Sequence, residues 1–331
     1  MKDFINDCLL KSLTAVAVLA GMFSLSSCED KPVPPLPEIV LGDEAMQFGH
    51  EGGSDTFVLY VNRDWEAVPG ADWIAIDPPS GKGEAGKVTV TVLENPAGDA
   101  RSSQVVFKTL AVYATLDIAQ DANPDGIPSL FFGNDFDKEL ARENESGYWP
   151  YLDQSDCWKN ETGFGSGEVE YYFDGMSARA NSTSNGSYSD YEGSGNNNLF
   201  FGSGSPYFVI GNIKVHPEQR EYTLSFGTEK YLYGNSDNTF VPEEFPVMVS
   251  PDGETWVEVG YTFASGQYLN GRWDLATSEF ALPEGTETLW IRFAPTLGSA
   301  HRLDDVTLKA GGNGDAVDWS DGVTITIPGR Q

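Results

Sequence analysis

The sequence contains few cysteines. Its 331 residues include three, Cys8, Cys28 and Cys157. As argued below, we expect Cys8 to be removed with an amino-terminal signal and Cys28 to carry a lipid, which leaves Cys157 alone. A single thiol can form neither an intramolecular disulfide nor a cysteine metal cluster. Hydrophobic cores must therefore hold the fold together. The chain that remains after removal of the signal, about 300 residues, is long enough for two domains.

Basic residues are also scarce, with 20 lysines and arginines against 50 acidic residues and a formal net charge of −30. Such a charge repels nucleic acid and anionic lipid headgroups, so we expect no nucleic-acid partner. The acids are scattered among Gly, Asn, Ser and Thr, which favours a soluble surface that resists aggregation. The alternative is that a few of these carboxylates bind calcium.

The sequence lacks the common catalytic motifs. It has three histidines, no His-Glu-x-x-His, no phosphate-binding glycine loop with its lysine, and no nucleophile elbow between a strand and a helix. We therefore expect no enzymatic activity and no cofactor other than a possible structural calcium ion. The remaining alternative is a glycoside hydrolase, because fifty acids could hide the two opposed carboxylates that it needs.

One apolar run is present near the amino terminus. Residues 13–25 follow Lys2 and Lys11 and are too few to span a bilayer as a stable helix, which is typical of a signal peptide. The run ends in Leu25-Ser26-Ser27-Cys28, which resembles the bacterial lipobox. The resemblance implies that residues 1–27 are removed and that lipidated Cys28 attaches the chain to a membrane. The alternative is an ordinary signal peptide with a cysteine there by chance.

Residues 28–37 have the composition of a tether. Glu29 and Asp30 follow the cysteine, and an acidic pair at this place resembles the surface-export signal of Bacteroidetes lipoproteins. That resemblance implies an outer-membrane lipoprotein facing the cell exterior, whereas the alternative is a solvated linker. The prolines that follow favour extended polyproline geometry, which suits a semi-rigid spacer.

Residues 38–121 are predicted to form a small β-sandwich. Apolar residues alternate along residues 56–61 and 87–92, and turn sequences at 52–53, 78–81 and 95–98 separate the strands. The segment also contains Asn62-Arg63-Asp64-Trp65, Asp72-Trp73-Ile74, Pro79-Ser80-Gly81, Asn95, Arg101 and Gln120, in this order. With these residues it resembles the BACON domain, an immunoglobulin-like sandwich of Bacteroidetes surface proteins that is often attached to carbohydrate-active modules.

The family name implies carbohydrate binding, but the positions of the tryptophans favour another role. Trp65 and Trp73 lie beside apolar strand positions, where a large ring packs into a core more readily than it stacks on a sugar. We therefore expect the first domain to act as a spacer.

Residues 122–310 contain eight or more candidate strands with long polar loops, which indicates a larger jelly roll of two packed sheets. Three landmarks stand out, which are residues 134–137, the hairpin of residues 250–256 and residues 302–308. With these landmarks the segment resembles the galactose-binding-like jelly rolls of carbohydrate-binding modules and the choice-of-anchor group. The tail, residues 311–331, begins as a linker, and the alternation over 323–327 could add an edge strand. The expected fold class is all-β, with two sandwich domains.

The same resemblance implies a structural calcium ion between the first and last strands of the jelly roll. Asp135 or Asp137, with Asp304 or Asp305, stand at the matching positions. Calcium takes six to eight oxygen ligands, some of which these carboxylates could supply. The alternative is a set of ordinary turn and strand-end acids.

Loops that mix aromatic and polar residues are the candidate glycan-binding segments, because aromatic rings stack on pyranose faces while amides and carboxylates reach the hydroxyls. The candidates are Trp149, Tyr151, Trp158, Tyr231, Tyr233, Tyr268 and Trp273. For any one ring the alternative is partial burial under a loop.

The leading hypothesis is a monomeric, non-catalytic surface lipoprotein that binds polysaccharide or host mucin for a carbohydrate-uptake system. The second hypothesis is a structural or adhesive surface protein whose partner is another protein. An extended apolar patch or an exposed edge strand would favour that second hypothesis.

Overall fold

The computed structural model describes residues 34–181, 186–187, 191, 195–230, 240–266, 272–296 and 301–330, with residues 186–187 and 272 described by their backbone. The described chain is all-β, and its only helical segments are the three-residue 3-10 turns Ser166–Glu168, Pro242–Glu244 and Trp319–Asp321. Within those ranges, no helix has the length and apolarity that a membrane crossing requires.

Nine strands form the first domain. They are β1 (Ile39–Leu41), β2 (Ala45–Phe48), β3 (Gly53–Val61), β4 (Trp65–Pro69), β5 (Ile74–Asp77), β6 (Ser80–Gly81), β7 (Gly86–Val92), β8 (Arg101–Thr109) and β9 (Val112–Gln120).

These strands form two packed sheets with the orders β1-β3-β7-β5 and β2-β9-β8-β4-β6. Neighbouring strands are antiparallel except β2, which runs parallel to β9. The alternation predicted for β3 and β7 is confirmed, because Phe57 and Val90 are among the side chains that face the core. The ring of Phe57 meets that of Phe107 in the opposite sheet at 5.4 Å, so the core lies between the sheets.

A polar network braces one end of this first sandwich. Buried Gln120 donates from Nε2 to the carbonyls of Gly49, His50 and Leu93, and its Oε1 accepts from Arg101. The Arg101 guanidinium in turn covers the ring of Trp73 at 4.4 Å. Trp65 is buried in the core, as the sequence predicts, while Trp73 is half-buried beneath the arginine.

Fifteen strands follow. They are β10 (Leu130–Asn134), β11 (Glu161–Thr162), β12 (Glu170–Asp174), β13 (Met176–Ala180), β14 (Gly186–Ser187), β15 (Asn197–Phe201), β16 (Tyr207–Lys214), β17 (Glu221–Lys230), β18 (Val247–Ser250), β19 (Thr255–Val259), β20 (Thr262–Phe263), β21 (Arg272–Ala281), β22 (Thr288–Phe293), β23 (His301–Ala310) and β24 (Val323–Thr324).

The second sandwich also consists of two sheets. One has the order β11-β10-β23-β17-β21-β14, with β15 attached to β23, β13 attached to β15 and β20 attached to β21. The other has the order β12-β16-β22-β18-β19-β24. Rings from both sheets meet in the core, for example Phe226 and Phe293 at 5.2 Å. The tail belongs to this domain, since β24 pairs with β19 and Ile327 is buried with Trp256.

Strand β23 has two successive partners on one side. Its second half pairs with β10 over Val306–Lys309, and its first half pairs with β15 through Arg302 and Leu303. Between the two lies Asp305, whose φ of 47° is in the left-handed region, at a register irregularity against β17. The change of partner places β13 and β15 beside the first half of β23 only.

Asn197 joins the two partners at this change. Its Oδ1 accepts from the Ala141 N–H, and its Nδ2 donates to the carbonyls of Phe136 and Glu139. Its own N–H donates to Asp137, 2.7 Å away. Asn197 is fully buried, so the chain that follows β10 and the first residue of β15 are fixed to each other without solvent between them.

We predict that Asn197→Ala lowers the free energy of unfolding of the second sandwich by about 3 kcal/mol, because two buried backbone groups and one partly buried backbone group lose their partner. The measurement is urea denaturation followed by tryptophan fluorescence. Asn196→Ala is the matched control, since its exposed neighbouring side chain should change stability by no more than about 0.5 kcal/mol. Equal effects of the two substitutions would contradict the role given to the amide.

His301, at the start of β23, provides a test of burial at this end of the domain. It is fully buried against Phe240 and Phe245, and among the described residues neither ring nitrogen has a hydrogen-bond partner. Burial, and secondarily the charge of Lys230, lowers the pKa of His301 to about 3. The unfolded chain binds a proton at this side chain below about pH 6.5, so stability is lost as the pH falls from there towards 3.

Between pH 7.5 and pH 5, the protonation of His301 in the unfolded chain should cost the unsubstituted protein roughly 2 kcal/mol of unfolding free energy. We predict that the His301→Phe protein does not show this decrease. The measurement is the difference between the two pH values in each protein, which cancels any packing change that the larger ring introduces. Parallel pH dependence of the two proteins would show that His301 is not a buried neutral group.

Candidate functional site

Five strands of the larger sheet begin or end at the same end of the sheet. β13 and β23 start there, β15 and β17 finish there, and β21 begins beside β17. The cross-strand pairs at this end are Met176 with Phe201, Phe200 with Arg302, and Lys230 with His301. We call this end of the sheet the loop end. Three connections at the loop end contain residues 231–239, 267–271 and 297–300, which lie outside the described residues.

The candidate glycan-binding residues are placed differently from one another. Tyr231, Tyr233 and Tyr268 belong to those connections, outside the described part of the chain. Trp158 is fully buried, with its ring 4.8 Å from Tyr171 and 5.8 Å from Phe208, and its indole N–H donates to the Leu152 carbonyl. A ring without exposed surface cannot stack on a sugar, so the prediction for Trp158 is wrong.

Trp273 is buried for a different reason. Tyr191 lies across the outer face of the sheet, where its ring contacts Trp273 and its hydroxyl donates to Asp305, 2.9 Å away. Gly227 makes room for this crossing, since a Cβ atom there would lie 1.7 Å from the Tyr191 hydroxyl. The prediction that Trp273 contacts a glycan is therefore also wrong, because the ring is covered by the chain itself.

The remaining candidates, Trp149 and Tyr151, lie beside β13. Trp149 packs half-buried against the core, whereas Tyr151 keeps 55% of its surface exposed. The backbone around Tyr151 is held firmly, because Ala178 donates to Pro150 and Leu152 donates to Met176. Buried Leu152 anchors the next position, so an exposed ring stands on a fixed segment of chain.

A cleft of about 420 Å³ opens beside Tyr151 at the loop end. We call it the Tyr151 cleft; it is lined by Tyr151, Asp153, Gln154, Phe173, Asp174, Gly175, Gly202 and Ser203. Its lining combines aromatic rings with carboxylates, an amide and a hydroxyl. These are the groups with which a protein holds the apolar face and the hydroxyls of a sugar.

Next to the cleft, two arginines flank one aromatic ring on the outer face. Phe200 alternates with the buried Leu199 and Phe201 and therefore points outward, as does Arg302 between His301 and Leu303. The guanidinium carbon of Arg179 lies 3.4 Å from the centroid of the Phe200 ring, and that of Arg302 lies 5.9 Å from it. We call Arg179, Phe200 and Arg302 the arginine patch.

The electrostatics of the arginine patch differ between its two cations. Arg302 donates to Oε1 of buried Glu229 at 2.7 Å. Burial raises the pKa of Glu229, while the charge of Arg302 opposes that rise. For Arg179, burial and then the like charge of Arg302 lower the pKa to about 10, still well above neutral pH. Arg179 is therefore charged under physiological conditions.

The four acids that the resemblance assigns to calcium lie around the β10–β15 change. Asp137 accepts from the N–H groups of Asn196 and Asn197, and Asp135 accepts from the N–H of Asp137 and from Asn160. Burial raises the pKa of Asp137, and it raises that of Asp304 more strongly, with the charge of Asp305 adding to the latter.

N–H and O–H donors face these carboxylates, including Asn181 on Asp304 and Tyr191 on Asp305. Among the described residues there is no group of three or more His, Cys, Asp or Glu side chains placed to hold a metal ion. In the described part of the chain these acids act as hydrogen-bond acceptors at the strand junction. The structural calcium ion that the resemblance implies stays a prediction.

Sequence reasoning did not identify the arginine patch. Its members come from three strands and are joined only by the pairing of β13 with β15 and of β15 with β23. The signal in the sequence was weak but present, since arginine alternates with small or apolar residues in both Ser177-Ala178-Arg179-Ala180 and His301-Arg302-Leu303.

Comparison with known proteins identifies part of the first sandwich. Residues 63–121 match the model of the BACON family, described as "Putative binding domain, N-terminal". The search of curated proteins gave no match.

Among solved structures, the chain is similar to a Bacteroides ovatus GH5 xyloglucanase in complex with a XXXG heptasaccharide, at 16% identity and a TM-score of 0.25, covering 35% of this chain and 24% of that one. It is also similar to a protein from Bacteroides thetaiotaomicron, at 18% identity and a TM-score of 0.19, covering 30% of this chain and 97% of that one. Titin domains I67–I69 match at 11% identity and a TM-score of 0.18, covering 85% of this chain and 99% of that one. The family match is the specific finding: residues 63–121, within the first sandwich, are similar to the BACON domain.

Proposed function

We propose that this protein is a non-catalytic, lipid-anchored surface protein that binds a glycan in the Tyr151 cleft. The observation that carries the proposal is the exposed Tyr151 ring on a fixed segment beside a cleft that also presents Asp153, Asp174 and Gln154. An aromatic platform with carboxylate and amide neighbours matches the mixed apolar and polar surface of a sugar.

The rigidity of the segment supports a binding role. Tyr151 donates its N–H to Oε1 of Gln154, which also lines the cleft, and Leu152 and Trp158 anchor the following chain in the core. A ligand that meets a preorganised surface spends less of its binding free energy on ordering side chains. The burial of Trp158 thus supports the site indirectly, by fixing the loop that carries Tyr151.

The first sandwich acts as a spacer in this proposal. Its Trp65 is buried and its Trp73 is covered by Arg101, so both tryptophans of the BACON match are engaged inside the domain. With the proline-rich tether of residues 28–37, the sandwich would hold the second domain away from an outer membrane whose lipid carries Cys28. The bound glycan would then be delivered to a carbohydrate-uptake system.

We predict that the chain from residue 29, without lipid, is retarded by at least one polysaccharide in affinity electrophoresis. Tyr151→Ala should weaken binding at least tenfold, about 1.4 kcal/mol, because the stacking surface is lost. Tyr148→Ala is the matched control, since Tyr148 is 69% exposed three residues away and does not line the cleft. A folded protein that binds nothing across a broad panel would contradict the proposal and favour a protein partner, and release of oligosaccharides from the ligand would contradict the non-catalytic assignment.

The lipid anchor makes a separate prediction. Cys28→Ala should move the protein from the membrane fraction to the soluble fraction of the cells that make it, because the thiol that accepts the lipid is gone. Cys157→Ala, which changes a buried thiol of the second sandwich, should leave the protein with the membrane. Membrane retention of Cys28→Ala, measured by fractionation and immunoblotting, is the result that would rule out the anchor.

A further inference from the structure

Arg179 has an unusual environment for a charged side chain of this protein. It is half-buried on the outer face of β13, where its guanidinium carbon lies 3.4 Å from the centroid of the Phe200 ring and its Nε donates to Ser177 Oγ at 3.2 Å. Within the described ranges, no carboxylate oxygen lies within 4.0 Å of this guanidinium, although the chain carries 50 acidic residues. Among the described residues, Ser177 accepts the one hydrogen bond that this guanidinium donates.

The charged neighbour at the same ring is a second cation, Arg302, which is itself paired with buried Glu229. The charge of Arg302 acts on Arg179 more strongly than that of Glu143, which is exposed. Buried Glu229 is committed to Arg302. Two guanidinium groups that share one aromatic ring repel each other, and an anion bound beside them would relieve that repulsion. The fixed planar fork of a guanidinium suits two oxygens of a carboxylate or sulfate group.

The arginine patch adjoins the Tyr151 cleft. Tyr151 forms a β-bridge with Ser177, the residue that Arg179 hydrogen-bonds, and the Tyr151 side chain is within electrostatic reach of Arg179. Phe200 is followed in β15 by Phe201, after which Gly202 and Ser203 line the cleft. A ligand seated on Tyr151 would therefore have its next substituent or sugar unit close to the guanidinium of Arg179.

We propose that the arginine patch binds the anionic group, a carboxylate or a sulfate ester, of an acidic glycan whose neighbouring unit lies in the Tyr151 cleft. The inference rests on the proposed function and specifies its ligand class. The net charge of −30 opposes the approach of a polyanion, but at physiological ionic strength charges farther away than about 8 Å are largely screened, whereas the guanidinium contacts are direct.

The experiment uses the unlipidated chain from residue 29 and two matched pairs of ligands. Polygalacturonate and its methyl ester differ in the carboxylate, and dextran sulfate and dextran differ in the sulfate. We expect the anionic member of at least one pair to bind at least tenfold more tightly than its neutral counterpart. The pair that shows the difference identifies which anion the patch prefers.

Substitution then locates the effect. Arg179→Gln should lower the affinity for the anionic ligand at least tenfold. Arg179→Lys should lower it less, because an ammonium keeps the positive charge but lacks the planar geometry that holds two oxygens. Arg142→Gln, at an exposed arginine outside the patch, is the matched control and should bind like the unsubstituted protein. Equal thermal unfolding of the variants shows that they are folded.

Two results would overturn the inference. One is equal binding of the anionic and neutral members of both pairs, and the other is an Arg179→Gln protein that still prefers the anionic ligand. Binding of neutral glycans that depends on Tyr151, without an anionic preference, would leave the proposed function standing and reject the acidic ligand alone. If the unsubstituted protein binds no glycan at all, both the proposed function and the acidic ligand class are rejected.

Discussion

The side-chain amide of Asn197 joins the first residue of β15 to the chain that follows β10, the other partner of β23. The arrangement of strands around β23 in the second sandwich depends on that contact. Because β10 pairs with the second half of β23 and β15 with the first half, β13 and β15 lie only beside the first half, which begins at His301. The same arrangement turns Arg179 and Phe200 towards Arg302 on the outer face. The arginine patch and the Tyr151 cleft thus depend on a junction whose centre is a fully buried polar side chain.

Buried polar groups are concentrated at this half of the larger sheet. Glu229, Lys230, His301 and Asp304 are all buried there, whereas the other half of β17 and β23 buries Tyr222, Leu224, Val306 and Leu308. Most of these polar groups have specific partners, such as Arg302 for Glu229 and Glu244 for Lys230. Burying so many polar and charged groups is expensive unless each is satisfied, and such concentrations are more common at functional sites than in purely structural cores.

Local pattern was sufficient for the fold class but not for the site. The alternation in β3 and β7 and the core position of Trp65 can be read from a few adjacent residues, and the structure confirms both. The prediction that Trp158 binds a glycan was wrong because Tyr171 in β12 and Phe208 in β16 bury its ring, and a local sequence pattern does not show these contacts. Trp273 is covered by Tyr191 in the same way. The arginine patch needs the pairing of three strands, which no sequence window contains.

The most direct test of this account is amide hydrogen exchange of the unlipidated chain with and without a bound acidic oligosaccharide. We predict slower exchange on binding in residues 150–154, 174–180 and 200–203, which carry the Tyr151 cleft and the adjoining arginine patch. Residues 38–121 should exchange at the same rates in both states. Protection confined to the first sandwich would contradict the account, because it would place the glycan on the BACON domain and leave the second sandwich without a ligand.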